Sequence, residues 1–233
     1  MVGPAVDHDR PHRSAAHAAA NDRELRSMLV RGRELVLHGG SARAIREDFD
    51  PVIARYEQRF ARHAQKIYCA SSMQESLLYS ATAQSANEAA LVLDSTWADA
   101  YLLKGYALTE LGRLAQSRDA LMRALALSPY HAAYYSELAY TYTREHRREQ
   151  ALEMYRSAEA AAERLPGAPD YVRELGQALR GQAYVLIEQG QPDGASALYR
   201  RCLALDPQDA QARRELDHIA RLQARGRTRS SPH

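Results

Sequence analysis

The amino-acid sequence predicts an all-α fold, a right-handed solenoid of helix-turn-helix repeats, and two observations support this prediction. Alanine dominates the 45% hydrophobic fraction, and the chain has 14 tyrosines but 2 phenylalanines. This composition suits closely packed helices better than strands. Tyrosine, alanine and proline also recur at a fixed period in the second half of the chain, from Tyr101 onward. A period of this length fits one pair of helices per repeat.

Charge and cysteine usage limit the environment of the protein. The net charge is +2, from 31 Lys and Arg against 29 Asp and Glu, so no large field favours nucleic acid or an acidic membrane. Cys69 and Cys202 are far apart and fit neither a disulfide framework nor a metal cluster, which favours a reducing compartment. No segment has the roughly 20 apolar residues that span a bilayer. We therefore expect a cytoplasmic protein without membrane contact.

The N-terminal part of the chain predicts a leader followed by a first helix. Residues 1–20 are rich in Pro, His and Ala without a periodic apolar face, and we expect a disordered leader. Asn21 is followed three residues later by Glu24, which is typical of a capping box at the start of a helix. Gly39 and Gly40 end that helix.

Two more helical stretches complete an N-terminal region over residues 21–97, which ends in a divergent cap repeat. Asp50 is the expected N-cap of the first, which continues to about Ile67. Ser72 with Glu75 forms a second capping box, and the helical stretch it opens is expected to run towards Asp94.

Residues 98–209 contain three copies of one pattern. The aligned positions are Tyr101 and Gly105 in the first copy, Tyr135 and Ala139 in the second, and Leu179 and Ala183 in the third. The second copy follows the first by 34 residues, and the third follows the second by 44. We assign the additional residues to an insertion at 166–175, since the sequence PGAP that begins there must interrupt a helix.

These copies resemble the tetratricopeptide repeat, whose helix-turn-helix unit carries aromatic-x2-Leu-Gly-x2-Tyr, then Ala-x3-aromatic, then Pro. The best copy reads Tyr135-x2-Leu138-Ala139-x2-Tyr142 with Ala151-x3-Tyr155. Lys104 and Gln182 replace the leucine of the family, and Ser117 replaces its small alanine. The resemblance covers residues 98–209 and is faint over 64–97.

Small residues in the repeats are predicted to have structural roles. Gly105 occupies the position where the two helices of one unit cross, and a larger side chain there would separate the backbones. Gly112 and Gly190 lie in turns that need a left-handed conformation. Neither a preceding strand nor the glycine spacing of a nucleotide-binding loop is present around Gly105.

The C-terminal part predicts a cap and a tail. Residues 210–223 form a capping helix that covers the last apolar face of the solenoid. Residues 224–233 are expected to be disordered, and Arg225, Arg227 and Arg229 within them are an alternative, less favoured nucleic-acid contact.

The resemblance implies that the first helix of each unit lines a concave groove. The ninth repeat positions in that groove are Tyr106, Tyr140 and Tyr184. The other groove positions are Asp99, Leu102, Thr109 and Glu110 in the first copy, Ser136, Thr143 and Arg144 in the second, and Gln177, Arg180, Ile187 and Glu188 in the third. Tyrosine suits a binding surface, yet these rings could instead pack on neighbouring helices and cover the core.

The predicted function is a non-catalytic protein-protein interaction scaffold or adaptor, which binds a peptide or protein segment in the groove. We expect no catalytic residues, no cofactor, no metal and no small-molecule substrate, because no histidine has a nucleophile or paired carboxylate placed by a motif. Family members that clamp a C-terminal carboxylate carry Asn where Tyr106 and Tyr140 stand, so this groove is a poor clamp of that kind. An alternative is a regulatory or assembly module of a secretion or envelope complex, acting through the N-terminal helices. The oligomeric state stays open.

Overall fold

The protein is described by a computed structural model over residues 10–229, with side chains described over 20–224. The N-terminal elements are α1 (Arg10–Leu37), α2 (Ser41–Ala44), a π-helical segment (Ile45–Phe49), α3 (Asp50–Phe60), β1 (Lys66–Ala70), α4 (Met73–Ser85) and β2 (Ala90–Asp94). Three helix pairs follow, α5 (Thr96–Glu110) with α6 (Leu114–Leu127), α7 (Ala132–Arg144) with α8 (Arg148–Glu163), and α9 (Tyr171–Glu188) with α10 (Pro192–Leu205), and then α11 (Ala210–Arg229). The all-α repeat solenoid predicted from the sequence is confirmed.

The start of the chain differs from the prediction. Residues 10–20, expected to be disordered, belong to α1, and residues 1–9 lie outside the described part. Asn21 is therefore inside a helix and caps nothing. Asp50 is no N-cap either, because Phe49 before it is already helical and the backbone continues from α2 through the π-helical segment into α3. The capping-box pattern is short and recurs inside helices, so it does not define a helix start by itself.

A two-stranded parallel sheet is present in the region expected to be helical. The helix predicted to reach Ile67 ends at Phe60, and the stretch predicted to run to Asp94 ends at Ser85. Strands β1 and β2 flank α4 and pair in parallel, with Lys66 opposite Ala90. Short apolar runs do not distinguish a buried strand from a helix, and only the pairing of two distant segments shows the difference.

The capping box at Ser72 is confirmed. The Ser72 hydroxyl accepts a hydrogen bond from the Glu75 N–H at 3.1 Å, and α4 begins at Met73. The Glu75 carboxylate turns back and accepts from the N–H and the hydroxyl of Ser71, at 2.7 Å each. Two backbone donors at the start of α4 are therefore satisfied by side chains.

The role of Gly105 as a helix crossing is also confirmed. A Cβ atom at this position would lie 2.6 Å from Cγ of the buried Leu121 on α6, so no side chain fits between α5 and α6 here. The corresponding Ala139 and Ala183 are fully buried. Gly112 and Gly190 adopt φ angles of 71° and 73° in the turns that follow α5 and α9, as the sequence predicted.

His146 occupies the matching turn of the second helix pair, with a φ angle of 59°. Because a left-handed backbone costs a residue with a Cβ atom more than glycine, we expect His146→Gly to raise the free energy of unfolding by about 1 kcal/mol. The reverse exchange, Gly112→His, should lower it by a similar amount. Chemical denaturation of both variants checks this, and a His146→Gly variant less stable than the wild type would contradict it.

The insertion and the C-terminal end extend helices. The residues at 166–175 are divided between a loop and the start of α9, which has 18 residues against 13 in α7. Helix α11 continues past residue 223 to Arg229, so the expected tail is helical as far as that residue. Residues 230–233 lie outside the described part. Over residues 10–229, no helix has both the length and the apolar character needed to cross a membrane.

One hydrophobic core joins the N-terminal region to the first repeat. It combines α1, α3 and α5, with Phe49 and Val52 fully buried and Trp97 stacked against Tyr56 at a centroid distance of 5.5 Å. The N-terminal helices are therefore part of the same packed body as the first repeat.

Candidate functional site

Two cavities lie along the first helices of the repeats, and Gln177 of α9 lines both. The larger one has a volume of about 620 Å³ and lies over α7 and α9. The smaller one has a volume of about 390 Å³ and lies between α1 and the helices α5, α7 and α9. Both cavities are lined in part by residues that the sequence predicted for the groove, among them Leu102, Tyr140 and Tyr184.

The larger cavity contains two of the three predicted tyrosines. Tyr140 is 37% exposed and Tyr184 is 49% exposed, and both rings line the cavity. Tyr155 of α8 also lines it but is buried. Two equivalent rings from successive repeats thus face one space, with their apolar surface only partly covered.

Tyr106, the third predicted tyrosine, has a different environment. It is partly buried and packs, with Leu102, against the core shared by α1 and α5. Val36 and Leu37 at the end of α1 line the smaller cavity beside Tyr106. The end of α1 therefore covers the part of the groove that the first repeat would line. No pattern within the repeats predicts this covering.

Two predicted site residues are buried between helices and do not reach the groove. Thr109 is 2% exposed and shares a hydrogen bond of 2.7 Å with the Ser117 hydroxyl, which also donates to the Gly105 carbonyl at 2.8 Å. Ser136 is 1% exposed, and its hydroxyl has no hydrogen-bond partner among the described residues. The repeat position alone does not give exposure, because it depends on how closely the adjacent helix packs.

The charged residues of the groove differ in how they are paired. The Arg180 guanidinium lies 2.6 Å from the Asp209 carboxylate, and Arg148 lies 3.3 Å from the exposed Glu188. Arg144 lies over the Tyr140 ring at 5.9 Å and donates weakly to its hydroxyl at 3.4 Å. No carboxylate among the described residues pairs with Arg144.

Of the predicted positions Glu110, Thr143 and Asp99, only Thr143 lines one of the two cavities. Glu110 is exposed at the end of α5. Thr143 lines the larger cavity, and its hydroxyl donates to the Ala139 carbonyl at 3.0 Å. Asp99, which the sequence also placed in the groove, accepts a hydrogen bond from the buried Tyr134 hydroxyl at 2.7 Å and serves the core.

A buried polar network borders the smaller cavity and was missed by sequence reasoning. Glu75 is 1% exposed and accepts from the Tyr79 hydroxyl at 2.7 Å, and the Nδ1 atom of His131 lies 3.4 Å from its carboxylate. Burial by itself raises the pKa of Glu75, but His131 and the Ser71 N–H outweigh it and hold the pKa at about 2. The capping box revealed Glu75, whereas no local pattern connects it to His131.

The described side chains do not provide a metal site or an activated thiol. Over residues 20–224, no group of three or more His, Cys, Asp or Glu side chains is placed to hold a metal ion. Burial raises the pKa of the Cys69 thiol to about 12 and that of Cys202 to about 11. Both thiols are therefore protonated at neutral pH and serve as small core residues.

Comparisons with known proteins identify the repeats. One tetratricopeptide repeat model matches residues 98–131, and a second matches residues 177–216. These segments correspond to the first helix pair and to the third pair with the start of α11. No curated protein matches the chain.

Solved structures resemble the fold at low identity. A MamA RS-1 ArsTM double mutant is 12% identical, with 86% of this chain and 85% of that chain covered and a TM-score of 0.51. The first TPR of Spaghetti (RPAP3), bound to an HSP90 peptide, is 21% identical, with 57% and 99% covered and a TM-score of 0.49. The N-terminal domain of stress-induced protein-1 from C. elegans is 14% identical, with 54% and 96% covered and a TM-score of 0.48.

Sequence motif, helix geometry and family models agree on the repeats. The middle pair, α7 with α8, has the same left-handed turn position and the same buried crossing residue as the two matched pairs. The chain therefore contains tetratricopeptide repeats, which the family models match over residues 98–131 and 177–216.

Proposed function

We propose that this protein is an interaction scaffold that binds a segment of a partner protein in the larger cavity over α7 and α9. One observation carries the proposal, namely that Tyr140 and Tyr184 come from successive repeats and expose their rings to the same space of about 620 Å³. Tyrosine offers a large apolar surface and a directional hydroxyl at low entropic cost, which makes it effective at interfaces.

The charges around the cavity indicate which partner segment would fit. Arg180 and Arg148 are already paired within the chain, whereas Arg144 has no carboxylate partner among the described residues. A segment with apolar anchors and a carboxylate near Arg144 would match this surface. The adjoining smaller cavity, with Leu102, Leu103 and Val36 in its wall, suits a further apolar side chain of the same segment.

The test removes both exposed rings. We expect the double variant Tyr140→Ser and Tyr184→Ser to weaken partner binding about a hundredfold, since truncating an interface tyrosine commonly costs tenfold or more. Partners are first captured with the wild-type protein from the source cells and identified. The dissociation constant of the identified segment is then measured by titration calorimetry against both proteins.

Two controls keep the result specific. Met122 on α6 is 56% exposed and lines neither cavity, so Met122→Ser should leave the affinity unchanged. Circular dichroism must show equal helix content in all variants. If the double tyrosine variant is folded and binds the segment as tightly as the wild type, the assignment of the site is wrong.

A further inference from the structure

Strand β2 has an edge on which backbone groups are unpaired. The Lys66 N–H donates to the Ala89 carbonyl at 3.2 Å. Together with the strand register, this bond shows which residues of β2 direct their backbone groups towards β1. In such a ladder, alternate residues direct both backbone groups towards the neighbouring strand. The backbone groups of Leu91 and Leu93 therefore face β1, and those of residues 90, 92 and 94 face away from it.

The two outer edges of the sheet are in different surroundings. On the β1 side, the Ser128 hydroxyl donates to the outward-facing carbonyl of Cys69 at 2.7 Å, so the loop between α6 and α7 covers that edge. On the β2 side, no described residue bonds the outward backbone groups of Ala90, Val92 or Asp94. The open edge of β2 is a template for another strand.

Space for an additional strand lies beside this edge. A shallow cavity of about 530 Å³ is bordered by Ala90 and Val92 of β2 and by Ala83 and Gln84 of α4. A sheet of two parallel strands with an open edge is unusual, because parallel sheets are normally covered and gain stability from further strands. The edge therefore has both unsatisfied hydrogen-bonding groups and room for an occupant.

We propose that a second copy of this chain pairs with the β2 edge, antiparallel to it, and forms a continuous sheet across a two-fold axis. The outward-facing residues are arranged symmetrically around Val92. An axis at Val92 places this residue opposite its equivalent and places Ala90 opposite Asp94 of the second copy. Every outward N–H and C=O then has a partner of the kind that antiparallel strands require.

Charge supports the choice of a second copy as the occupant. Ala90 to Leu93 carry no charge, so the centre of the interface has no repulsion. The carboxylates near its ends are neutralised within their own chain, since Asp94 pairs with Arg26 at 2.9 Å and Glu88 approaches Lys66 at 3.8 Å. Two identical edges can therefore approach each other, whereas two unpaired acidic edges would repel.

The test uses proline at Val92, the central one of the three outward-facing positions, where it removes only outward hydrogen bonds. Val92→Pro deletes the outward N–H, while the bonds from Leu91 and Leu93 to β1 remain, and edge strands tolerate proline on the outer side. Sedimentation over a hundredfold range of concentration should show a monomer–dimer equilibrium for the wild type and a monomer for Val92→Pro. Val92→Thr keeps the N–H and the branched shape, so it should dimerise.

A second measurement does not depend on how well Val92→Pro folds. Amide exchange of the wild-type protein, followed residue by residue, should show the N–H groups of Leu91 and Leu93 protected at all concentrations. Those of Val92 and Asp94 should become protected only as the protein concentration rises. A wild type that stays monomeric, a dimer that persists in folded Val92→Pro, or unchanged exchange at Val92 would overturn the proposal.

Discussion

Replacing Gly181 with alanine is expected to lower the free energy of unfolding by about 3 kcal/mol, because the added methyl group would overlap the ring of Tyr155. Gly181 lies on α9 and Tyr155 on the preceding helix α8, where the ring is buried. Neither the ring nor α9 can move without disturbing the contact between the second and third repeats. Equilibrium denaturation in urea measures the loss.

Gly167 provides a matched control for this exchange. A Cβ atom at Gly167 meets no other atom within 4 Å, so Gly167→Ala should change the stability little. In a Tyr155→Ala background the cost of Gly181→Ala should fall sharply, since the two changes act on one contact. Equal effects of Gly181→Ala with and without the Tyr155 ring would show that the overlap is not the cause.

Loss of the Glu75 carboxylate is expected to destabilise the protein by about 3 kcal/mol at neutral pH. Glu75→Ala leaves the Ser71 N–H, the Tyr79 hydroxyl and His131 without their buried acceptor. Glu75→Gln keeps the shape and an acceptor oxygen but removes the charge, so it should cost less. Denaturation of both variants at pH 7 gives the comparison, and an equal stability of Glu75→Ala and wild type would refute it.

The pH dependence of stability distinguishes the effect of the Glu75 charge from the effect of the side chain's shape. The pKa of Glu75 is lowered from 4.5 to about 2 in the folded protein. The contribution of its carboxylate to folding stability is therefore complete above pH 4.5 and is lost as the pH falls towards 2. Burial lowers the pKa of His131, but the hydrogen bond and charge of Glu75 outweigh it, and the pKa lies above 6.5. The contribution of His131 is therefore complete below pH 6.5 and is lost as the pH rises through its folded pKa. Both dependences should be much weaker in Glu75→Gln, and an identical profile in that variant would contradict the pairing.

Short-range features of the fold were predictable from the sequence. Gly105, Gly112 and Gly190 act within a single helix pair, and Ser72 caps its own helix, so each depends on neighbours close in the chain. The repeat spacing also placed Tyr140 and Tyr184 on one face. Such features follow from helix periodicity and turn geometry, which depend only on residues within one short segment of the chain.

Contacts between distant segments were not predictable in the same way. The strand character of Lys66–Ala70 appears only when it pairs with Ala90–Asp94, and Glu75 meets His131 only after α4 packs beside the loop that precedes α7. The overlap between Gly181 and Tyr155 likewise joins two different repeats. None of these pairs has a fixed spacing that a pattern search could use.

The sequence by itself determined the repeats and the face on which the candidate site lies. Only the tertiary structure decided which residues at equivalent repeat positions are exposed on that face. Tyr106, Tyr140 and Tyr184 occupy the same repeat position, yet the end of α1 packs beside Tyr106 and leaves the other two exposed. A repeat pattern specifies the face of its own helix on which a side chain lies. The exposure of that side chain depends on every element that packs against the helix, including those far away in the chain.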